Sequence, residues 1–213
     1  MMARRPNRRE VAAAETRREI LRAARRLFAE HGYASTSVQQ IAEESGVAVQ
    51  TIYSSIGSKA ALVMALNDLI DEEAEVGGLA AELLEETDPP QLIAKGVLLT
   101  RQLNERCGDL IQVLLSAEPA DPEAAAVVAD GMRRHDDGAN RIAQRLEALG
   151  ALRADTTPEQ AAAVLSMMTS PASWRQLTRG AGWTFDEGQR WLTTSLALLL
   201  LGGNGKPTTA SGD

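Results

Sequence analysis

The sequence predicts an all-α protein, and three observations lead to that expectation. Alanine, leucine, glutamate, arginine and glutamine dominate the 213 residues, whereas aromatic residues make up only 3%. Apolar residues recur with helical spacing, and a serine, threonine or aspartate precedes several of these segments. Strong helix formers with few strand formers favour helices packed around an aliphatic core. We therefore expect about nine helices, of which three form an N-terminal domain.

Charge is distributed unevenly along the chain. Residues 1–60 contain ten Lys or Arg and six Asp or Glu, although the whole chain carries a net charge of −7. A basic N-terminal part on an acidic body indicates that only the N-terminal part faces a polyanion. A solvated arginine face on a helix is the alternative interpretation. The first basic residues, in an arm at 1–14 that we expect to be disordered, are Arg4, Arg5, Arg8 and Arg9.

The first helix is expected to begin at Thr16. Gly32 is placed to end it with a left-handed conformation, which would bring Tyr33 into contact with Phe28. Apolar residues with the spacing of one buried stripe support this helix. They are Ile20, Leu21, Ala24, Leu27 and Phe28.

Two short helices are expected next, separated by a glycine. Thr36 is the predicted N-cap of the first, with Gln39 completing a capping box, and Gly46 ends it. A helix of about two turns, a glycine turn and an immediate second helix follow the helix-turn-helix plan. Val47 and Ile52 are expected to close the small core against Ile41 and Ala42.

The second short helix then has an outer face of polar and small side chains. Gln50 is suited to bind adenine through two hydrogen bonds, and Val49 or Thr51 to meet a thymine methyl group. Tyr53 is suited to hold a phosphate. A purely structural helical hairpin, in which Ile52 and Tyr53 only pack, is the alternative.

The span from about residue 15 to 62 resembles the DNA-binding domain of the tetracycline-repressor (TetR) family. The resemblance is carried by the order of five motifs: Phe-x-x-x-Gly-Tyr, Thr-x-x-x-x-Ile-Ala, Gly-Val, Thr-Ile-Tyr and Ser-Lys-x-x-Leu. It implies that Thr51, Tyr53 and Lys59 contact DNA, with Lys59 on a phosphate. The chain departs from the family pattern at Ser55-Ile56 and at Gly57, and Ser55 is expected to keep a phosphate contact.

The complete set of predicted DNA-binding residues combines the arm, the two short helices and the start of the next helix. It consists of Arg4, Arg5, Arg8, Arg9, Thr36, Ser37, Val49, Gln50, Thr51, Tyr53, Ser55 and Lys59. Ala48 stands where the family usually has a capping serine, and a missing cap costs about 1 kcal/mol.

Residues 15–57 are thus the predicted helix-turn-helix domain, and the resemblance implies that 58–202 form a ligand-binding and dimerisation domain. Residues 203–213 are expected to be a disordered tail. Ser58 begins a long helix, and Pro171 is expected to bend or split a later one. Further helix starts are expected at Asp88-Pro89, Asp121-Pro122, Thr157-Pro158 and Thr184, the last with Glu187 in a capping box.

In the resembling family the last two long helices of each subunit form the dimer interface. Here they correspond to about 157–180 and 184–202. The candidate dimer contacts are Trp191, Leu192, Ser195, Leu196 and Leu199. A face buried within one chain gives the same pattern, and the sequence leaves both interpretations open.

An effector pocket needs apolar walls with a few polar groups. Large adaptable side chains in the predicted second domain are candidates for its lining, although most methionines belong to the core. These candidates are Leu98, Met132, Met167, Met168 and Trp174.

An enzyme is not expected. The chain has one cysteine, Cys107, and two histidines, His31 and His135, without metal-ligand spacing, a phosphate-binding loop or a nucleophile motif. No cofactor and no metal is therefore expected. The absence of a signal sequence and of a long apolar segment predicts a cytoplasmic protein without a membrane partner.

Taken with the resemblance, these features predict a homodimeric, ligand-responsive regulator that binds double-stranded DNA. The expected form is a repressor that a small molecule releases from a palindromic operator. A helical small-molecule sensor or protein-binding bundle that never binds DNA is the alternative.

Overall fold

The computed structural model describes residues 7–73, 82–83 and 85–202, and these residues are helical with short connections, as predicted. The helices are α1 (Arg8–His31), α2 (Val38–Ser45), α3 (Val49–Ser55), α4 (Lys59–Glu73), α5 (Pro89–Ala117), α6 (Pro122–Ala148), α7 (Pro158–Thr169), α8 (Pro171–Arg175) and α9 (Phe185–Leu200). A π-helical turn, Gln176–Gly180, follows α8.

The chain divides into two compact units, each built from two segments. The first unit comprises Met1–Ala74 with Cys107–Gly131, and the second comprises Glu75–Arg106 with Met132–Asp213. The first unit therefore extends beyond the predicted domain at 15–57. Its additional part consists of α4, the C-terminal part of α5 and the N-terminal part of α6.

Helix α1 is longer than the sequence analysis predicts. It begins at Arg8 because Asn7 and Glu10 form a capping box, with Asn7 accepting a hydrogen bond from the Glu10 N–H. Residues 8–14 of the predicted disordered arm are thus helical, which corrects that expectation. Arg4 and Arg5, like the predicted tail at 203–213, lie outside the described residues.

The inner side of α1 packs on α2, α3 and α4. Four residues of its predicted stripe are buried, whereas Leu27 is half-buried. Gly32 ends the helix with a positive φ of 81°, but its ψ of 160° is not left-handed helical. The Phe28 and Tyr33 rings still pack as predicted, with centroids 5.5 Å apart.

The helix-turn-helix forms around the predicted glycine. Gly46 ends α2 in the left-handed conformation, with φ 68° and ψ 23°, a region that a residue with a side chain seldom adopts. Ile41, Ala42 and Ile52 are buried between the helices, and Val47 is half-buried. One side of α3 lies outside this core and is exposed.

The second unit has a core formed by α5, α6, α7 and α9 around Trp174 of α8. The Trp174 indole N–H donates to the Thr100 hydroxyl at 3.1 Å, and Gly188 of α9 lies directly against its ring. The predicted capping residues Thr157 and Thr184 both form capping boxes. Pro171 splits the predicted helix into α7 and α8.

Candidate nucleic-acid interface

Helix α3 presents the side chains that the sequence analysis assigns to base contacts. Gln50 is exposed, Tyr53 is 49% exposed, and Val49 and Thr51 are half-buried at the edge of the same surface. Ile52 is fully buried and holds α3 against α1 and α2. Ala48 makes no side-chain cap, as expected from its missing oxygen. One short helix therefore separates a buried face from a polar surface of the kind that enters a major groove.

Arginines of α1 hold the short helices in place. The Arg17 guanidinium donates to the carbonyl oxygen of Ser55 at 3.4 Å, at the C-terminal end of α3. Positive charge is favourable there because the last carbonyls of a helix carry partial negative charge. Arg26 pairs with Glu44 of α2. Both arginines thus make contacts within the fold, which an analysis of charge alone does not reveal.

Lys59 opens α4 beside an aromatic ring. Its Nζ atom lies 4.2 Å from the centroid of the Tyr33 ring, in a cation–π contact. Burial lowers the pKa of the Lys59 ammonium. Ser58 caps α4 as predicted, since its hydroxyl accepts from the Ala61 N–H at 3.1 Å.

Tyr33 is fixed in turn by a carboxylate. Its hydroxyl donates to Asp121 Oδ2 at 2.7 Å. Burial and this neighbouring carboxylate raise the pKa of Tyr33, so the hydroxyl keeps its proton and remains a donor. The same hydrogen bond lowers the pKa of Asp121. From the sequence, Asp121 is predicted only as a helix start, and no local signal pairs it with Tyr33.

Thr36 does not occupy the role predicted for it. It is 2% exposed, and its hydroxyl lies 2.9 Å from the carbonyl oxygen of Gly32, to which it can donate. Ser37 is the N-cap of α2 and forms the capping box with Gln40 instead of Gln39. The buried Thr36 hydroxyl is thus turned into the protein and away from any DNA, whereas Ser37 lies at the surface of the helix start.

A second contact joins α1 to the C-terminal part of α5. The Arg25 guanidinium donates to both oxygens of Asp109, at 2.5 and 2.7 Å. Burial opposes ionisation of Asp109, but the hydrogen bonds and charge of Arg25 outweigh it and lower the pKa of the carboxyl group. Together with Tyr33–Asp121, this ion pair connects residues 107–131 to the N-terminal segment of the first unit.

The N-terminal part of the chain is similar to known bacterial regulators. Residues 20–66 match the family model "Bacterial regulatory proteins, tetR family". The HTH-type transcriptional regulator TtgR of Pseudomonas putida is 40% identical over 93 residues, which are 44% of this chain and 43% of TtgR. Residues 20–66 thus form a DNA-binding domain of the TetR family. ArpR of Pseudomonas putida, a probable HTH-type regulator, gives the same identity and the same coverage, so these alignments span less than half of either relative.

Solved structures extend the TetR-like fold over most of the chain. A protein from Saccharomonospora viridis in complex with choline has a TM-score of 0.72 and 22% identity, covering 89% of this chain and 100% of that one. A TetR-family regulator from Agrobacterium tumefaciens has a TM-score of 0.67 with the same identity and coverage. The SmeT–triclosan complex has a TM-score of 0.67 and 19% identity, covering 93% and 98% of the two chains. These structures support the all-α TetR fold.

The candidate effector residues differ in how deeply they are buried. Trp174 lies in the core, and Met168 packs half-buried against it. Met132 and Met167 are exposed, Met167 by 64%, and Leu98 is half-buried. An open surface pocket of about 430 Å³ has a different lining: Trp183, Glu187, Arg190, Trp191 and Thr194.

The residues of α9 that were predicted to form the dimer contact divide into a buried and a more exposed group. Leu192 and Leu196 are 1% and 0% exposed and belong to the core of the second unit, so for them the intrachain alternative is correct. Trp191 and Leu199 are exposed, and Ser195 is half-buried. Leu198, which is not among the predicted contacts, is 72% exposed on the same helix. Apolar residues cover most sides of α9, so periodicity alone did not separate the two faces.

In the described part of the chain, the remaining cysteine and histidine side chains are not grouped for metal binding. Cys107 is buried, and His135 contacts the carbonyl oxygen of Ser166 through Nε2 at 2.9 Å. Among residues 7–73, 82–83 and 85–202 no three His, Cys, Asp or Glu side chains are placed to share a metal ion. In the same ranges no helix is long and apolar enough to cross a membrane.

Proposed function

We propose that this chain acts as a homodimeric repressor that binds a palindromic operator and leaves it when a small molecule binds. The observation that carries the proposal is the surface of α3, where Gln50 and Tyr53 are exposed while Ile52 anchors the helix. A short helix held in this way by α1 and α2 suits the major groove. Lys59 and the exposed Arg8 and Arg9 add positive charge for phosphates.

A two-fold operator requires two DNA-binding domains about 34–36 Å apart, or a multiple of that distance. We place the dimer contact on the exposed side of α9. Trp191, Leu198 and Leu199 present large apolar side chains there. Exposed apolar side chains grouped on one helix are typical of a protein–protein interface.

The second unit is the proposed effector-binding part. Similar folds have been solved with choline and with triclosan, which makes these two compounds the first probes to test. An effector that favours the DNA-free state must bind less well in the presence of DNA, by a reciprocal coupling of about 1–3 kcal/mol. Movement of α4, which starts at Lys59, is the proposed route from effector to DNA.

A gel-shift assay on the DNA upstream of the chain's own gene tests the proposal. The expected result is a retarded complex at low salt that a competing random duplex of the same length removes only in large excess. Choline or triclosan is then added to the complex, and thermal unfolding of the free protein is followed with the same compounds.

The outcomes separate the proposal from its alternative. Retardation that an effector reverses supports a ligand-released repressor. A compound that raises the melting temperature while operator affinity stays constant contradicts the coupling. No DNA binding at low salt without ligand contradicts the DNA-binding function and favours a sensor that acts without DNA.

A further inference from the structure

We propose that Tyr33 and Asp121 form a positioning pair that holds the ammonium of Lys59 where it contacts a DNA phosphate. This inference rests on the proposed function, because it concerns the geometry of a DNA-contacting residue. Neither member of the pair lies on α3, and Asp121 lies 88 residues from Tyr33 in the sequence.

The contact between Lys59 and the ring defines where the ammonium lies. Its Nζ atom is 4.2 Å from the ring centroid of Tyr33, which packs on Phe28. The electron-rich face of the ring attracts the cation. Because the ring covers only one side of the ammonium, N–H donors on the other side remain available to an anionic oxygen.

The position of the ring depends on its hydroxyl group. Tyr33 donates to Asp121 Oδ2 at 2.7 Å, while Asp121 Oδ1 accepts from the N–H of Glu123 at 2.9 Å. The carboxylate thus caps α6 and binds Tyr33 at the same time. Its place is set by the helix start, so the contacts run from the α6 N-terminus through Tyr33 to Lys59, all within the first unit.

Packing alone does not account for the hydroxyl. A phenylalanine would fill the same space against Phe28 and offer Lys59 a similar ring face. The Tyr33 side chain is 7% exposed, and its hydroxyl group needs a partner that the Asp121 carboxylate supplies. The hydrogen bond therefore restricts the rotation and tilt of the ring that supports Lys59.

Two substitutions break this hydrogen bond from opposite sides. Tyr33→Phe keeps the ring and removes the donor. Asp121→Ser keeps a capping oxygen for α6, but the serine side chain is too short to reach the Tyr33 hydroxyl. Each is combined with Lys59→Ala in the full-length chain, and binding to the upstream DNA and to a random duplex of equal length is measured over a salt series. Asp137→Asn, which removes an exposed carboxylate paired with Arg133, is the control for the charge change.

Each single variant is expected to bind both duplexes about two- to tenfold more weakly, because a phosphate contact carries no sequence information. The slope of log affinity against log salt should move toward that of Lys59→Ala. In the Lys59→Ala background the same substitutions should cause no further loss, since the residue they position is absent. Far-ultraviolet circular dichroism and the melting temperature check that every variant is folded.

Three results would overturn the inference. One is an equal loss of affinity with and without Lys59, which would indicate a purely structural role. Another is unchanged affinity and salt slope in both single variants while wild type binds DNA, which would leave the proposed function intact. The third is a wild-type protein that binds neither duplex, which would overturn the proposed function as well.

Discussion

Gln50 is the residue whose predicted role depends most on sequence-specific chemistry. It is exposed on α3, where its amide can offer a donor and an acceptor to adenine. Gln50→Ala is expected to cost about 1–3 kcal/mol on the preferred operator and little on random DNA. A binding-site selection with both proteins should show relaxed preference at one position in each half-site.

Lys59→Ala is the matched comparison, because a phosphate contact has no sequence preference. We expect weaker binding to operator and random DNA alike, and a salt slope smaller by about 1 per half-site. Salt titrations of both variants on both duplexes provide the measurement. If Gln50→Ala and Lys59→Ala lost affinity uniformly across sequences, the assignment of α3 as the recognition helix would be wrong.

The Arg25–Asp109 ion pair predicts a pH dependence of stability. The pKa of Asp109 is lowered in the folded protein, so the pair stabilises the fold above the unfolded-state pKa of about 3.9, and this contribution is lost as pH falls through the folded-state pKa. Denaturant unfolding of wild type should therefore show a steeper loss of stability than Asp109→Asn between about pH 5 and pH 3. Parallel curves for the two proteins would contradict this role, and Asp137→Asn serves as the control.

At the scale of single helices, the sequence predicts the start and end of a helix correctly where these depend on neighbouring residues. The helix starts at Thr157 and Thr184, the helix end at Gly46 and the break at Pro171 all depend on neighbours within a few residues. Whether Thr36 or Ser37 is the N-cap of α2 depends instead on the fold of the preceding turn. Both residues carry a hydroxyl group. Thr36 does not cap α2 because the turn that follows α1 buries its side chain, where the hydroxyl donates to the carbonyl oxygen of Gly32.

The periodicity of apolar residues does not predict which side chains that are distant in the sequence contact each other. Arg25 binds Asp109 across 84 residues, and a basic residue on α1 gave no indication of which carboxylate it meets. The same limit applies to α9, where an apolar pattern identified the helix but not which of its sides the core covers. Accordingly, the fold class and the exposed face of α3 followed from the sequence, whereas the residues that attach 107–131 to the first unit did not.

Gly188 tests the packing of α9 on α8. A Cβ atom at this position would lie 3.0 Å from the Trp174 ring, which is buried and bonded to Thr100. In Gly188→Ala, overpacking is expected to destabilise the protein by about 1–3 kcal/mol. The higher helix propensity of alanine offsets up to about 1 kcal/mol of this loss. Gly138→Ala is the control, since nothing lies within 4 Å of its added Cβ and only the helix gain applies. Equal stability of the two variants in urea would contradict this account.

At the scale of the whole molecule, the proposed dimer predicts a mass. Light scattering should give twice the 22.8 kDa of one chain, and a monomer at all micromolar concentrations would contradict the proposal. Leu198→Glu is expected to give a folded monomer, because its side chain is 72% exposed. Leu196→Glu places a charge in the core and should unfold the chain instead. If the Leu198→Glu variant remained a folded dimer, the proposed location of the interface on this side of α9 would be wrong.

The capping box at the start of α1 has a thermodynamic consequence for association. Fixing the backbone of one residue costs about 1–2 kcal/mol in conformational entropy, and a disordered arm would incur that cost when it meets DNA. Residues 8–15 are exposed yet already helical, held from their first turn by Asn7 and Glu10. In the proposed complex, calorimetry should thus reveal a smaller entropic penalty than folding coupled to binding would produce. Asn7→Ala should restore part of that penalty and weaken DNA binding without removing a single positive charge.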